Sequence, residues 1–235
     1  MQERHLSFYS HLMREHIDLV TYGHWGYPVL LFPTSLGDAR QYHDKGLIDS
    51  VTERINNGEL KIYSVATIDQ QSFYSPDLPA NAKIFNYSLY QKFLAEELLP
   101  FIQKEYNVHR IGIGGASLGA YHAVNFAFKN PNAINFLIAM SGFYSIGNFM
   151  NGYYDINVYS NSPSDYLKDS ESWIFNHMKI VLGTSDWDIC RDENIKLSQL
   201  LEEKDIAHIY DEKKWITHDW PLWNIVFPEY LNTFL

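Results

Sequence analysis

The stretch Arg110-Ile111-Gly112-Ile113-Gly114-Gly115-Ala116-Ser117-Leu118-Gly119 constrains this chain more than any other. A short apolar run, RIGIG, meets a segment of helical periodicity, Leu118–Lys129, across a turn built from small residues. A strand passing into a helix so abruptly needs a sharp bend. Gly115 and Gly119 would let the two backbones close around it. The same alternation recurs along the chain. Pro28–Phe32, Leu60–Thr67, Phe136–Met140, Lys179–Leu182 and Ile206–Tyr210 read as short strands. Leu47–Asn56, Ser88–Tyr106 (with Pro100 as a kink), Asp192–Lys204 and Trp220–Thr233 read as helices. Apolar strands alternating with helices predict an α/β fold with a mostly parallel sheet covered on both faces. Leu6–Leu12 and Ile17–Tyr22 have no helix between them. They predict an antiparallel pair at the sheet's N-terminal edge.

Composition narrows the class. At 235 residues, 46% of them hydrophobic, the chain suits one domain over 1–235, with enough core to need no disulfide. A long Tyr/Asn/Ser-rich stretch, 142–175, is the only segment able to form a small cap. A net charge of -10 argues against nucleic acid as a partner and against docking on anionic lipid. No apolar run is long enough to span a membrane, and the first residues lack the apolar core of a signal peptide. The single cysteine, Cys190, fits a reducing compartment, so a cytoplasmic location is expected. Ten histidines without HxH or HExxH spacing give no reason to expect a metal, and nothing calls for another cofactor.

The strand–GASLG–helix unit is also a chemical signal. A serine at such a turn stands above the sheet at a helix N-terminus, where backbone N–H groups favour negative charge. Ser117 is the candidate nucleophile. A serine hydroxyl needs a base, and an imidazole held by a carboxylate supplies one. On this kind of sheet the order along the chain is Ser, acid, His. His122 falls inside the helix after Ser117, His177 abuts a strand, and His208 lies within one. His218 stands in the loop Trp215–Trp220 between the last strand and the last helix, where it can reach over the strand ends. It is the candidate base.

The acid should follow a strand and precede a helix. Asp186 comes first after Gly183, the expected turn, and is favoured; Asp188 is the alternative. Asp192 reads as a helix N-cap, and Asp219 as a loop or capping residue. Two N–H donors must face the developing oxyanion. One is that of Leu118. The other should come from the loop Pro33–Gly37, from Ser35 or Leu36. Trp187, Tyr42, Phe143 and Tyr144 could border a cleft, although packing is the simpler role for each. Cys190 reads as buried filler.

Together, Pro28–Phe32 with its loop, Gly115–Gly119, Gly183–Asp186 and His218-Asp219-Trp220 followed by Trp223 resemble the α/β-hydrolase superfamily. Within it the chain is similar to the esterase group that includes mycolyltransferase-like esterases and S-formylglutathione hydrolases. The resemblance implies a three-layer sandwich around a sheet of about eight strands. It also implies a Ser117–Asp186–His218 triad and carboxylic-ester hydrolysis through an acyl-enzyme, on a small-molecule ester. An acyltransferase or thioesterase on the same triad, or a binding protein on a hydrolase scaffold, are the rival readings. One departure stands out. The oxyanion loop opens Pro33-Thr34 where the family has His-Gly or Asp-Gly.

Overall fold

Strands with apolar side chains on both faces need cover on both faces, and the sheet is built accordingly. The computed structural model describes residues 1–235. In chain order its main elements are β1 (Glu3–Ser10), β2 (Glu15–Tyr22), β3 (Tyr27–Phe32), α1 (Gln41–Asp44), α2 (Thr52–Asn56), β4 (Leu60–Val65), α3 (Ala80–Phe93) and α4 (Leu99–Tyr106). There follow β5 (Ile111–Ala116), α5 (Leu118–Lys129), β6 (Ile134–Met140), α6 (Ile156–Tyr159), α7 (Pro163–Tyr166), β7 (Lys179–Trp187), α8 (Arg191–Glu203), β8 (Ile209–Thr217) and α9 (Trp220–Phe234). The eight strands lie in the order β1-β2-β4-β3-β5-β6-β7-β8. β1 pairs antiparallel with β2, and β2 with β4; every later pair is parallel.

Alternation along the central strands feeds two cores. Leu30 and Phe32 of β3 point to one face, where α3, α4, α5 and α8 pack. Val29 and Leu31 point to the other, against α1, α2 and α9. Side chains such as Leu137 and Phe227 are fully buried, each contributing about 1.5–3 kcal/mol by leaving water. The segment 142–175 forms short helices, with α6 against α3 and α7 against α5.

Four elements differ from expectation. The long helix begins at Ala80 rather than Ser88, behind the extended Pro79, and a π-helical stretch, Leu94–Leu98, precedes Pro100. Proline lacks an N–H and crowds the carbonyl four residues back, and the wider turn absorbs both defects. Asp192 is not the cap of α8. It sits in the first turn, and Cys190 holds the cap position. Most consequential, β7 runs on to Trp187 and β8 spans Ile209–Thr217, well beyond the short runs Lys179–Leu182 and Ile206–Tyr210. β8 is an edge strand, and its charged residues hide it from hydropathy. Lys213 pairs with Asp211 and Glu229, and Arg191 with Glu212. Charge along an edge also discourages further strand pairing.

Candidate active site

The turn after β5 is as sharp as its glycines suggest. Ser117 has φ 56° and ψ −121°. Strain of this kind costs roughly 1–3 kcal/mol and persists only where the surroundings enforce it. Here they do. The Ser117 N–H donates to the Met140 carbonyl at 2.8 Å. The buried Tyr42 hydroxyl accepts from the Ala116 N–H at 2.8 Å and donates to the Phe32 carbonyl at 2.7 Å, tying β3 to the turn. A Cβ on Gly119 would lie 2.1 Å from the Phe32 carbonyl oxygen, and one on Gly115 would lie 2.2 Å from the Gly119 oxygen. No other residue fits at either place.

His218 follows β8 directly. Its Nε2 lies 3.0 Å from Ser117 Oγ, and its Nδ1 lies 2.7 Å from Asp188 Oδ1. Trp223, one turn into α9, stands edge-on to the imidazole at 5.2 Å and confines it. Asp219 caps α9, accepting from the Trp220 N–H at 2.8 Å. The His218-Asp219-Trp220 motif thus combines an imidazole, a helix cap and the first turn of the helix that carries Trp223.

The carboxylate at the imidazole is Asp188, and the preference for Asp186 is corrected. Gly183 does not end the strand. The Tyr230 hydroxyl occupies the place of its missing Cβ, and β7 continues through Asp186. There the pairing with β8 slips, between Ser185–Lys213 and Trp187–Thr217. Asp186 spends its side chain on that irregularity, accepting from the Trp215 N–H at 2.8 Å, where Trp215 has φ 64°. Asp188 is the first acid beyond the strand. Its Oδ1 also accepts from the Cys190 N–H at 2.7 Å, and its Oδ2 accepts from Thr184 Oγ1 at 3.1 Å. Burial pushes the Asp188 pKa up, but hydrogen bonds from His218, Ser141 and the Cys190 N–H outweigh it. The carboxyl stays below its usual range and remains ionised.

The loop after β3 separates the two oxyanion candidates. Thr34–Gly37 is a tight turn closed by the Gly37 N–H on the Thr34 carbonyl at 2.9 Å. The Thr34 N–H goes to Gln41 Oε1 at 2.8 Å, and the Leu36 N–H to Asp69 Oδ2 at 2.9 Å. Leu36 is therefore engaged and is corrected as a candidate. The Ser35 N–H and the Leu118 N–H have no acceptor within the protein.

The remaining candidates sort by burial. Tyr42 and Tyr144 are fully buried, Tyr144 donating to Asn194, and serve packing. Trp187 is exposed against Trp215. Phe143 lines a cavity of about 370 Å³ with Ser145, Phe149 and Glu193. His177 and His208 are occupied elsewhere, by the Pro131 carbonyl and by Ser198. Cys190 is half-buried, its thiol pushed up to about 12 by burial and by the nearby Asp188 and Glu193 carboxylates. Donor atoms of Asp188, Cys190 and His218 lie within 4.8 Å of one another. With the thiol protonated and His218 Nδ1 committed to Asp188, they make a poor cation site. Asp69, Gln41 and Thr184 left no signal in the sequence, because each acts on a partner that only folding brings near.

Comparison with known proteins bears on the family and the fold. The family model described as "Putative esterase" matches residues 23–233. YjcH of Bacillus subtilis (strain 168) is 31% identical over 153 residues, 58% of this chain and 56% of YjcH, so the match spans little more than half of that relative. Among solved structures, a ferulic acid esterase superposes with a TM-score of 0.79 at 17% identity, over 99% of this chain and 96% of that one. The S-formylglutathione hydrolase FrmB of Staphylococcus aureus gives 0.76 at 13% identity, over 99% and 96%. MPT51 of Mycobacterium tuberculosis gives 0.72 at 14% identity, over 100% and 98%. At such identities these structures speak for the fold, which is that of the α/β-hydrolases. Family match and fold together place this chain in the esterase family to which residues 23–233 conform.

Proposed function

We propose that the protein hydrolyses small, short-acyl carboxylic esters through a Ser117–His218–Asp188 triad. The observation that carries the reading is the hydrogen-bonded line Ser117 Oγ–His218 Nε2 (3.0 Å) and His218 Nδ1–Asp188 Oδ1 (2.7 Å) at the strand ends. Ser117 attacks the ester carbonyl while its proton passes to His218 Nε2. The tetrahedral oxyanion accepts hydrogen bonds from the Ser35 and Leu118 N–H groups, at the N-terminus of α5, whose dipole adds to the stabilisation. His218 then protonates the departing alkoxide, leaving an acyl-Ser117. Water gives a proton to His218 as it attacks the acyl carbon, and collapse of the second tetrahedral intermediate releases the acid while His218 returns that proton to Ser117 Oγ. Asp188 holds the imidazole in the tautomer that leaves Nε2 free to accept, and stabilises the imidazolium.

The test is p-nitrophenyl acetate hydrolysis together with labelling by a fluorophosphonate. The wild-type protein is expected to turn over the ester and to be labelled at Ser117. Ser117→Ala should lose labelling and roughly 10⁴-fold or more of kcat. Unchanged turnover in purified Ser117→Ala would reject the assignment.

A further inference from the structure

A carboxyl side chain is buried beside the oxyanion loop, and the triad does not use it. Asp69 is 2% exposed and His122 is 1% exposed. No lysine or arginine pairs with Asp69; His122 Nε2, at 3.3 Å from Oδ1, is its one side-chain partner, and its other oxygen accepts the Leu36 N–H at 2.9 Å. A buried carboxylate without a cation is costly unless hydrogen bonds hold it.

The partners of His122 fix the direction of its ring. The Tyr87 hydroxyl oxygen accepts from Gln91 Nε2 at 2.9 Å and from Asn125 Nδ2 at 3.3 Å. Its own proton is then free only for His122 Nδ1, 3.1 Å away. With Nδ1 facing the Tyr87 hydroxyl, His122 turns its Nε2 to Asp69. The chain Tyr87–His122–Asp69–Leu36 runs from the core between α3 and α5 to the backbone of the β3–α1 loop.

What it grips there is strained. Leu36 has φ 58°, third in a four-residue turn where glycine or asparagine is the usual occupant. The leucine side chain is half exposed, so packing does not hold it there. The Asp69 carboxylate does, by accepting from the Leu36 N–H. This orientation leaves the preceding N–H, that of Ser35, unpaired. The segment after Asp69 adds a second hold, with the Tyr74 hydroxyl donating to Ser35 Oγ at 3.0 Å.

We infer that Asp69, locked by His122, is a positioning residue that sets the oxyanion loop so that the Ser35 N–H faces the developing oxyanion. The inference rests on the triad reading above and adds a residue to it. Asp69 touches neither substrate nor reacting atoms. It acts through Leu36.

The test compares wild type, Asp69→Asn and Asp69→Ala for p-nitrophenyl acetate kinetics and for inhibition by a trifluoromethyl ketone, whose adduct with Ser117 carries an oxyanion. Asp69→Asn is isosteric and guards against a folding failure in Asp69→Ala. An amide oxygen can accept from the Leu36 N–H, but its NH₂ then replaces the oxygen that faces His122 Nε2. The expected order of kcat is wild type, then Asn, then Ala, falling roughly 10- to 100-fold by Ala, short of the loss of a whole oxyanion donor. KM should stay within about threefold, and the ketone Ki should rise in parallel with the loss in kcat/KM. A merely structural role would not move Ki and kcat together while sparing KM. Wild-type kcat and Ki in folded Asp69→Asn and Asp69→Ala would overturn the inference and leave the triad standing. Absence of Ser117-dependent turnover in the wild type would remove both.

Discussion

Asp186 and Asp188 lie two residues apart, and their side chains do different work. Asp186 accepts from the backbone at Trp215, while Asp188 accepts from His218 and three further donors, the Cys190 N–H, Thr184 and Ser141. Asp188→Asn replaces an acceptor-only group with one that no longer enforces the His218 tautomer, and kcat should fall roughly 10⁴-fold. Asp186→Asn keeps an oxygen for the Trp215 N–H and should hold kcat within a few-fold. Steady-state kinetics on both variants checks the pair. Acid stability gives a second readout of the same contrast. The folded Asp188 pKa lies below its unfolded value of about 3.9. Its contribution to stability is complete above that value and is lost as pH falls through the lower folded one. Urea midpoints measured down the acid limb should therefore fall less steeply in Asp188→Asn than in wild type.

At the scale of elements, the β3 end, the β5 turn and the start of α5 form one rigid joint. Gly119 sits against the Phe32 carbonyl, and Tyr42 bonds both strands. Gly119→Ala must push backbone against backbone. It should cost about 3 kcal/mol or more, the upper end of overpacking, with turnover lost as Ser117 shifts. Gly147→Ala is the control. Its new Cβ meets only Ser145 Oγ at 3.7 Å, and stability should change by no more than about 0.5 kcal/mol. Denaturant midpoints distinguish the two. The joint was legible in the sequence because GASLG between a strand and a helix admits few geometries. The length of β7 and β8 was not. Thr184, Ser185 and Asp186, and Asp211 to Lys214, are polar residues drawn into a ladder by partners, and hydropathy registers only what the interior wants.

Over the whole molecule, one sheet serves two cores, so neither face can lose its cover independently. Leu137 belongs to the core under α3, α4, α5 and α8; Phe227 belongs to the core under α1, α2 and α9. Leu137→Ala and Phe227→Ala should each cost about 2–5 kcal/mol. In both variants the loss of far-UV circular dichroism and the change in tryptophan fluorescence should coincide on denaturation. Separate transitions would mean that the layers unfold independently.

The α/β alternation, the antiparallel edge, Ser117 at its turn and His218 before the last helix were all legible along the chain. Each depends on local periodicity or on neighbours within a few residues. The choice of Asp188 over Asp186 depended on where β7 stops, and pairing with β8 about thirty residues later decides that. Which of the Ser35 and Leu36 N–H groups stays unpaired depended on which meets an acceptor, and the acceptor is Asp69, 33 positions from Leu36. Local sequence sets what each segment can become. Which donor or carboxylate stays available to a substrate is set by contacts between segments, and those exist only once the chain has folded.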